Sequence, residues 1–221
     1  MLGIITYNHP HLKTEQVISG LLGRYKLKIF AVPYKDRPER QILFNHRLDQ
    51  SKAIHPRFIA QKHNLDYTED GIYGCDLYLI TGAGIIHNVK GKVINCHPGI
   101  IPAVRGLDSF KWAIYNDIDL GNTLHYINDE VDSGEIISVI PTHVYKTDTI
   151  ETLARRHYEN EINALINFEY HLNNKHNSFE EIKTGEATKR MPYATETVMM
   201  TKAEYYIKYH SLWQTIYGDQ R

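Results

Sequence analysis

The sequence of 221 residues predicts an α/β fold. Three observations predict it: the chain opens as strand, polar turn, helix, strand; two later apolar runs read as buried strands ending in polar residues; and helical patterns follow them. Hydrophobic residues at 42% and charged residues at 23% are enough for one full core.

Leu2 to Tyr7 is a short apolar run closed by Asn8-His9-Pro10-His11, after which Val17, Ile18, Leu21 and Leu22 recur at helical spacing. Lys26 to Val32 supplies a second strand, stopped by Pro33, which makes the start a βαβ opening. Its first turn has no glycine, which speaks against a nicotinamide dinucleotide. Residues 34–56 are dense in charge, with Arg37, Arg40, His46 and Arg47 close together. They read as a solvated loop and helix face, or as a cradle for an anionic substrate. Arg57 to Asn64 reads as helix, and Leu77 to Ile80 as a strand behind the turn Gly74-Cys75-Asp76. Thr81-Gly82-Ala83-Gly84-Ile85-Ile86 is a small-residue loop whose backbone a flat ligand can approach.

Val93 to His97 is the next strand, and Pro98 and Pro102 stiffen the segment leading to Arg105-Gly106. Asp108 to Tyr115 is a helix in which Trp112 reads as core rather than as a ligand platform. A second β-rich run from Asn122 is closed by Asp132-Ser133-Gly134, and Glu135 to Ile140 is a strand. Thr149 initiates a helix from Ile150 to about Leu172, and polar Asn173 to Asn177 ends the main domain. The division is therefore 1–175 and a C-terminal extension, 176–221, holding Arg190-Met191-Pro192 and a tyrosine-rich helix around Tyr205, Tyr206 and Tyr209.

Composition narrows the function classes. No run approaches a membrane span, and Asn8, His9 and Pro10 break the apolar start too soon for a signal peptide, so a cytoplasmic protein without membrane contact is expected. Cys75 and Cys96 make neither a disulfide framework nor a structural zinc site. The 13 histidines, among them His9, His11, His87, His125 and His143, show no ligand spacing; they read as scattered structural residues, and no metal is expected. A net charge of −1 leaves no electrostatic footprint for nucleic acid. The aromatic tail makes a homodimer the expected assembly.

The chemistry concentrates between Val93 and Ile137. Alternate residues of a strand share a face, so Asn95 and His97 point the same way at a strand end, where open α/β sheets bind ligands. A carboxylate in the Asp132 loop can orient or charge the imidazole if the two strands are neighbours. Arg105, between a proline-stiffened turn and a glycine, suits a phosphate or carboxylate through paired hydrogen bonds.

In order and spacing, Asn95-Cys96-His97, His97-Pro98-Gly99-Ile100-Ile101-Pro102, Arg105-Gly106 and Asp129-Glu130-Val131-Asp132-Ser133-Gly134 resemble the folate-dependent formyltransferases. The resemblance is strongest over residues 74–140, and the tail is similar to that of small nucleotide-sugar N-formyltransferases. It implies a Rossmann-like domain with a mainly parallel sheet and a short helical C-terminal extension. It implies N10-formyltetrahydrofolate as formyl donor, bound near Gly84, Ile85, Ile86, Ile127, Asn128 and Asp129, in a cleft whose backbone groups hold the pteridine. The catalytic set it implies is Asn95, His97 and Asp132.

Moving a formyl group from an anilide-like nitrogen to an amine needs a neutral nucleophile, an oxyanion partner and proton traffic between the nitrogens. Asn95 can donate to the oxyanion and His97 can take the proton, with Asp132 raising the imidazole pKa and fixing its tautomer. The first turn lacks the Ser-Gly-x-Gly-Ser-Asn-like phosphate loop of glycinamide-ribonucleotide formyltransferases, and the tail is too short for the β-barrel domain of tRNA formyltransferases. The expected acceptor is therefore the primary amine of a nucleotide-linked sugar, such as a dTDP- or GDP-4-amino-4,6-dideoxyhexose, anchored through Asn8, His9 and Arg105. Glycinamide-ribonucleotide transfer and formyltetrahydrofolate hydrolysis are the alternatives.

Overall fold

A computed structural model of the chain describes residues 1–36, 38–49, 51–86, 88–128, 131–132, 134–174 and 186–217, with side chains to 211. Its elements in chain order are β1 (Leu2–Tyr7), α1 (Leu12–Leu21), β2 (Leu27–Val32), α2 (Pro56–His63), β3 (Asp66–Thr68), β4 (Leu77–Ile80), β5 (Lys92–His97), α3 (Ser109–Tyr115), β6 (Gly121–Tyr126), β7 (Ile136–Pro141), α4 (Ile150–Ile166), α5 (Phe168–Asn173) and α6 (Tyr193–Tyr217). The strands form one sheet in the order β3-β2-β1-β4-β5-β6-β7. From β3 to β5 all neighbours are parallel, and β6 and β7 add antiparallel. This is the mainly parallel α/β sheet expected from the sequence.

The two faces of the sheet are covered differently. Ile4, Ile29, Leu79, Ile94, Cys96 and Leu124 face a core built with Val17, Ile18 and Leu21 of α1, Ile59 of α2 and Tyr158, Ile162 and Leu165 of α4. On the other face, Ile5, Phe30, Tyr78 and Val93 meet loop residues Ile72, Ala83, Ile86, Val89 and Ile127. Parallel neighbours usually need a helical crossover. Between β4 and β5 the described residues of the connection 81–91 form no helix, so the face carrying Asn95 and His97 is left to loops. A third cluster joins α3, the start of α4 and α6 through Phe110, Ile114, Leu153, Met199 and Tyr206. Trp112 is half-buried against this cluster and donates from Nε1 to Lys189 O at 2.8 Å.

Thr149 begins α4 with a reciprocal capping box on Thr152, which satisfies two otherwise orphaned helical amides. The helix expected to run to Leu172 is broken at Asn167, whose side chain donates to Asn163 O at 3.0 Å. The break turns Phe168 (1% exposed) into the core, 5.6 Å from the Tyr25 ring. The described residues of 34–55 are largely exposed loop, as the solvated reading expects, but they form no helix, and some of their basic side chains are engaged. Arg40 pairs with Asp108 at 3.0 Å, Arg47 pairs with Asp49 at 3.0 Å and Glu161 at 3.2 Å, and buried His46 stacks on Phe110. The reason is that Asp108, Asp49 and Glu161 are themselves largely buried and need counter-charges. Arg37 lies outside the described residues. No helix among the described residues is long and apolar enough to cross a membrane.

Candidate active site

Strand alternation and pairing assemble the site. Val93, Asn95 and His97 share the loop-covered face of β5, and the antiparallel register sets His125 opposite Asn95 and Thr123 opposite His97. Asp132 arrives from the turn joining β6 to β7, in a left-handed conformation (φ 49°) that aspartate tolerates better than most residues. Two residues on, a Cβ at Gly134 would lie 1.8 Å from Tyr126 O, so the turn closes only with glycine there. The Asp132 carboxylate lies 3.2 Å from His97 Nδ1, and its Oδ2 accepts from Gly106 N at 3.0 Å.

His97 Nδ1 faces the Asp132 carboxylate and Nε2 faces a carbonyl, two groups that only accept, so the single hydrogen of the neutral ring serves one side at a time. Its Nε2 lies 3.1 Å from Val104 O and 3.1 Å from Ser109 Oγ. Burial pushes the pKa of His97 below the usual imidazole value, although Asp132 and Val104 O act in the opposite direction. Asp132 pulls that pKa upward, as expected, but the net direction is down: the ring is 3% exposed, and desolvation outweighs the carboxylate. The ring is thereby held neutral at neutral pH, with a protein group against each of its nitrogens. Ser109, His97 and Asp132 follow one another as in a hydrolytic triad, but Ser109 is 1% exposed and its hydroxyl also reaches Gly106 O at 3.0 Å. That hydroxyl holds a turn instead of presenting a nucleophile.

His125, read from sequence as structural, belongs to this constellation. Its Nδ1 lies 2.9 Å from Tyr126 O, and its Nε2 lies 3.3 Å from Asn95 Nδ2 and 3.9 Å from Asp132. Burial takes its pKa down to about 4 against the pull of Asp132. Nδ1 is therefore the donor, and bare Nε2 accepts one amide hydrogen of Asn95, leaving the second for a ligand. Only the register of β5 on β6 reveals this partner. No group of three or more His, Cys, Asp or Glu side chains placed to hold a metal occurs among the described residues.

Beside β5 lies a cleft of about 320 Å³ lined by Ile86, Val89, Lys92, Val93, Tyr126, Ile127 and Asn128. Three residues expected around folate, Ile86, Ile127 and Asn128, line it; Gly84 and Ile85 do not, and Ile85 is 69% exposed. Asp129 lies outside the described residues. The amide of Ile127 already donates to Val93 O at 3.0 Å, so it offers a ligand only its remaining groups. A larger depression between α2 and β3 sits at the far edge of the sheet, four strands from β5, and contains none of the catalytic candidates.

The expected acceptor anchors are dispersed. Asn8 and His9 follow β1, two strands from β5; Asn8 Oδ1 accepts from Tyr34 N at 2.8 Å, and exposed His9 stacks on Tyr34 at 4.3 Å. Arg105 is buried, and its Nε has no hydrogen-bond partner among the described residues. An unpaired buried guanidinium nitrogen is costly, which fits a site made for an anion. At the N-terminus of α1, Leu12 N donates to Asp49 O at 2.9 Å, and the Asp49 carboxylate lies 3.4 Å from His11 Nε2. Burial opposes the charges on Asp49 and Glu161, yet Arg47 with His11, and Arg47 with Lys13, hold both carboxyls below their ordinary range.

A model of the formyl transferase family matches residues 49–168, which include Asn95, His97, Arg105 and Asp132. Over 72 residues the chain is 36% identical to phosphoribosylglycinamide formyltransferase from Haemophilus influenzae, a stretch that makes up 32% of this chain and 34% of that protein. The chain thus spans about a third of that relative's length. Among solved structures, an N-formyltransferase from Helicobacter canadensis in complex with folinic acid and dTDP-3-aminofucose superposes with a TM-score of 0.61 at 17% identity, covering 94% of this chain and 81% of that one. A 4-N formyltransferase from Francisella tularensis gives 0.58 at 15% identity, covering 91% and 87%. At these identities the structural likeness is one of fold, but the family match spans more than half of the chain, and on that ground the chain belongs to the formyl transferase family.

Proposed function

We propose that the chain is a formyltransferase that moves the formyl group of N10-formyltetrahydrofolate to the primary amine of a nucleotide-linked amino sugar. The observation that carries the reaction is the convergence of the Asn95 amide, the neutral buried imidazole of His97 and the Asp132 carboxylate, with 3.2 Å between the last two. The acceptor nitrogen adds to the formyl carbon, and the free amide hydrogen of Asn95 meets the oxyanion. His97 relays the proton from the attacking nitrogen to N10 as the C–N10 bond breaks, and Asp132 steadies the imidazolium formed in passing. The pteridine occupies the cleft between Ile86 and Ile127. A cytoplasmic homodimer working without a metal belongs to the same reading.

Two observations support a sugar acceptor. The first amide of α1, at Leu12, where a phosphate could bind, is taken by Asp49 O, while Arg105 Nε beside the catalytic turn has no partner among the described residues. The fold likeness to the Helicobacter canadensis enzyme, solved with a dTDP-linked amino sugar, points the same way. Glycinamide ribonucleotide is the second reading, favoured by the 36% identity to the Haemophilus influenzae protein. The test is tetrahydrofolate release from N10-formyltetrahydrofolate with a panel of nucleotide-linked amino sugars, with glycinamide ribonucleotide and with no acceptor. Sugar-dependent release is expected. Release only with glycinamide ribonucleotide overturns the acceptor, release without any acceptor identifies a hydrolase, and no release overturns the reaction.

A further inference from the structure

We infer that residues Glu186 to Met191 form a strap that positions the catalytic carboxylate, with Thr188 as the positioning residue; this rests on the reading of Asp132 as partner of His97. The peptide units on either side of Gly106 are held by Thr188. Thr188 N donates to Arg105 O at 2.8 Å, and Leu107 N donates to Thr188 O at 2.9 Å. The Thr188 hydroxyl lies 2.7 Å from Arg105 O and 2.9 Å from Leu107 O, sharing its one hydrogen between them. Gly106 is in the left-handed region (φ 93°), and a Cβ there would come within 2.4 Å of Thr188 O, so the bridge requires glycine.

What Gly106 does on its inner side gives the strap its purpose. Its N–H donates to Asp132 Oδ2 at 3.0 Å, and its carbonyl accepts from Ser109 Oγ at 3.0 Å. Both partners touch His97, Asp132 at Nδ1 and Ser109 at Nε2. The outer end of the strap is pinned as well: Met191 N donates to Asp108 Oδ2 at 2.9 Å, Trp112 Nε1 to Lys189 O at 2.8 Å, and Arg40 joins Met191 O to Asp108. A glycine peptide in a loop is free to rotate unless its neighbours forbid it. The strap removes that freedom from an amide that holds Asp132 toward His97, so the C-terminal extension is part of the site.

The test uses the full chain with Thr188→Val, Thr188→Ser, Trp112→Phe and Lys202→Met. Two quantities are read: the titration of the His97 ring by NMR, and kcat and KM for formyl transfer. Asp132 raises the pKa of His97, so loosening it moves the midpoint down. The other groups acting on the ring, Glu161, Arg47, His125 and His157, are untouched by these variants. Thr188→Val is expected to lower the midpoint and to reduce kcat roughly fivefold, as loss of one net hydrogen bond does, with KM for the folate unchanged. Thr188→Ser keeps the hydroxyl and should restore both, and Trp112→Phe, which frees Lys189 O, should shift the midpoint the same way. Lys202→Met removes the bond from Lys202 Nζ to Tyr115 O elsewhere on α6 and should leave the midpoint in place. Native midpoints in both Thr188→Val and Trp112→Phe overturn the strap, as does an equal shift in Lys202→Met. A shifted midpoint in a protein that transfers no formyl group upholds the strap and sinks only the proposed reaction.

Discussion

Replacing Asp132 by asparagine isolates charge from shape. The amide side chain would keep an oxygen for the Gly106 N–H, so the β6–β7 turn should fold unchanged, but the charge 3.2 Å from His97 Nδ1 disappears. At an effective dielectric constant near 20, a unit charge pair at that distance interacts by about 5 kcal/mol. Solvent reaches the carboxylate side chain at 13% exposure, which trims this to roughly 4 kcal/mol. The imidazolium exists fully only as the proton passes, so the loss falls on the transition state, about a thousandfold in kcat. The sign for pH follows: without the carboxylate the His97 pKa falls further, and the acidic limb of the rate profile moves to lower pH. Single-turnover formation of tetrahydrofolate at saturating substrates gives the rate, and thermal unfolding checks the fold. Turnover within tenfold of the parent protein would falsify the assignment of Asp132 to the proton path.

Arg105→Ala should raise KM for the nucleotide sugar and leave that for N10-formyltetrahydrofolate little changed; equal weakening of both would show that Arg105 is not an acceptor anchor. Lys111 and Glu196 form an ion pair at 1% and 0% side-chain exposure, linking α3 to α6. Lys111→Met strands the carboxylate and should cost about 3–5 kcal/mol in urea unfolding, with the double variant Lys111→Met and Glu196→Met recovering most of it. A single variant as stable as the parent contradicts this. Acid should destabilise the fold in two stages. Burial holds His125 and His157 near 4 in the native state, while the unfolded chain titrates near 6.5, so the unfolded state binds more protons between those values. Stability is full above that window and falls through it by about 3 kcal/mol per histidine. Below it, Asp49 and Glu161, whose pKa values are depressed, remove more as they protonate. Urea midpoints from pH 7 to 4 measure this, and a slope that His157→Gln does not flatten would refute the part given to His157.

How much of this was legible in the sequence depended on the range of the interaction. The strands could be read because apolar runs and their stops are local, and the shared face of Asn95 and His97 follows from the two-residue period of a strand. The capped start at Thr149 was legible for the same reason, since a capping box closes within four residues. The break at Asn167 was not, because apolar periodicity runs through it and only the pocket beside Tyr25 draws Phe168 inward.

By itself, then, the sequence determined the α/β class, the strand that presents Asn95 and His97, and the motif order that resembles the formyltransferases. Only the tertiary structure decided which groups meet them. His125 reaches Asn95 through a strand register, Arg47 reaches Glu161 across 114 residues, and Thr188 reaches the Gly106 turn from the far end of the chain. It also decided the direction of the His97 titration. A neighbouring carboxylate can be guessed from a motif, but desolvation is set by everything packed around the ring, and at 3% exposure burial outweighs the charge of Asp132.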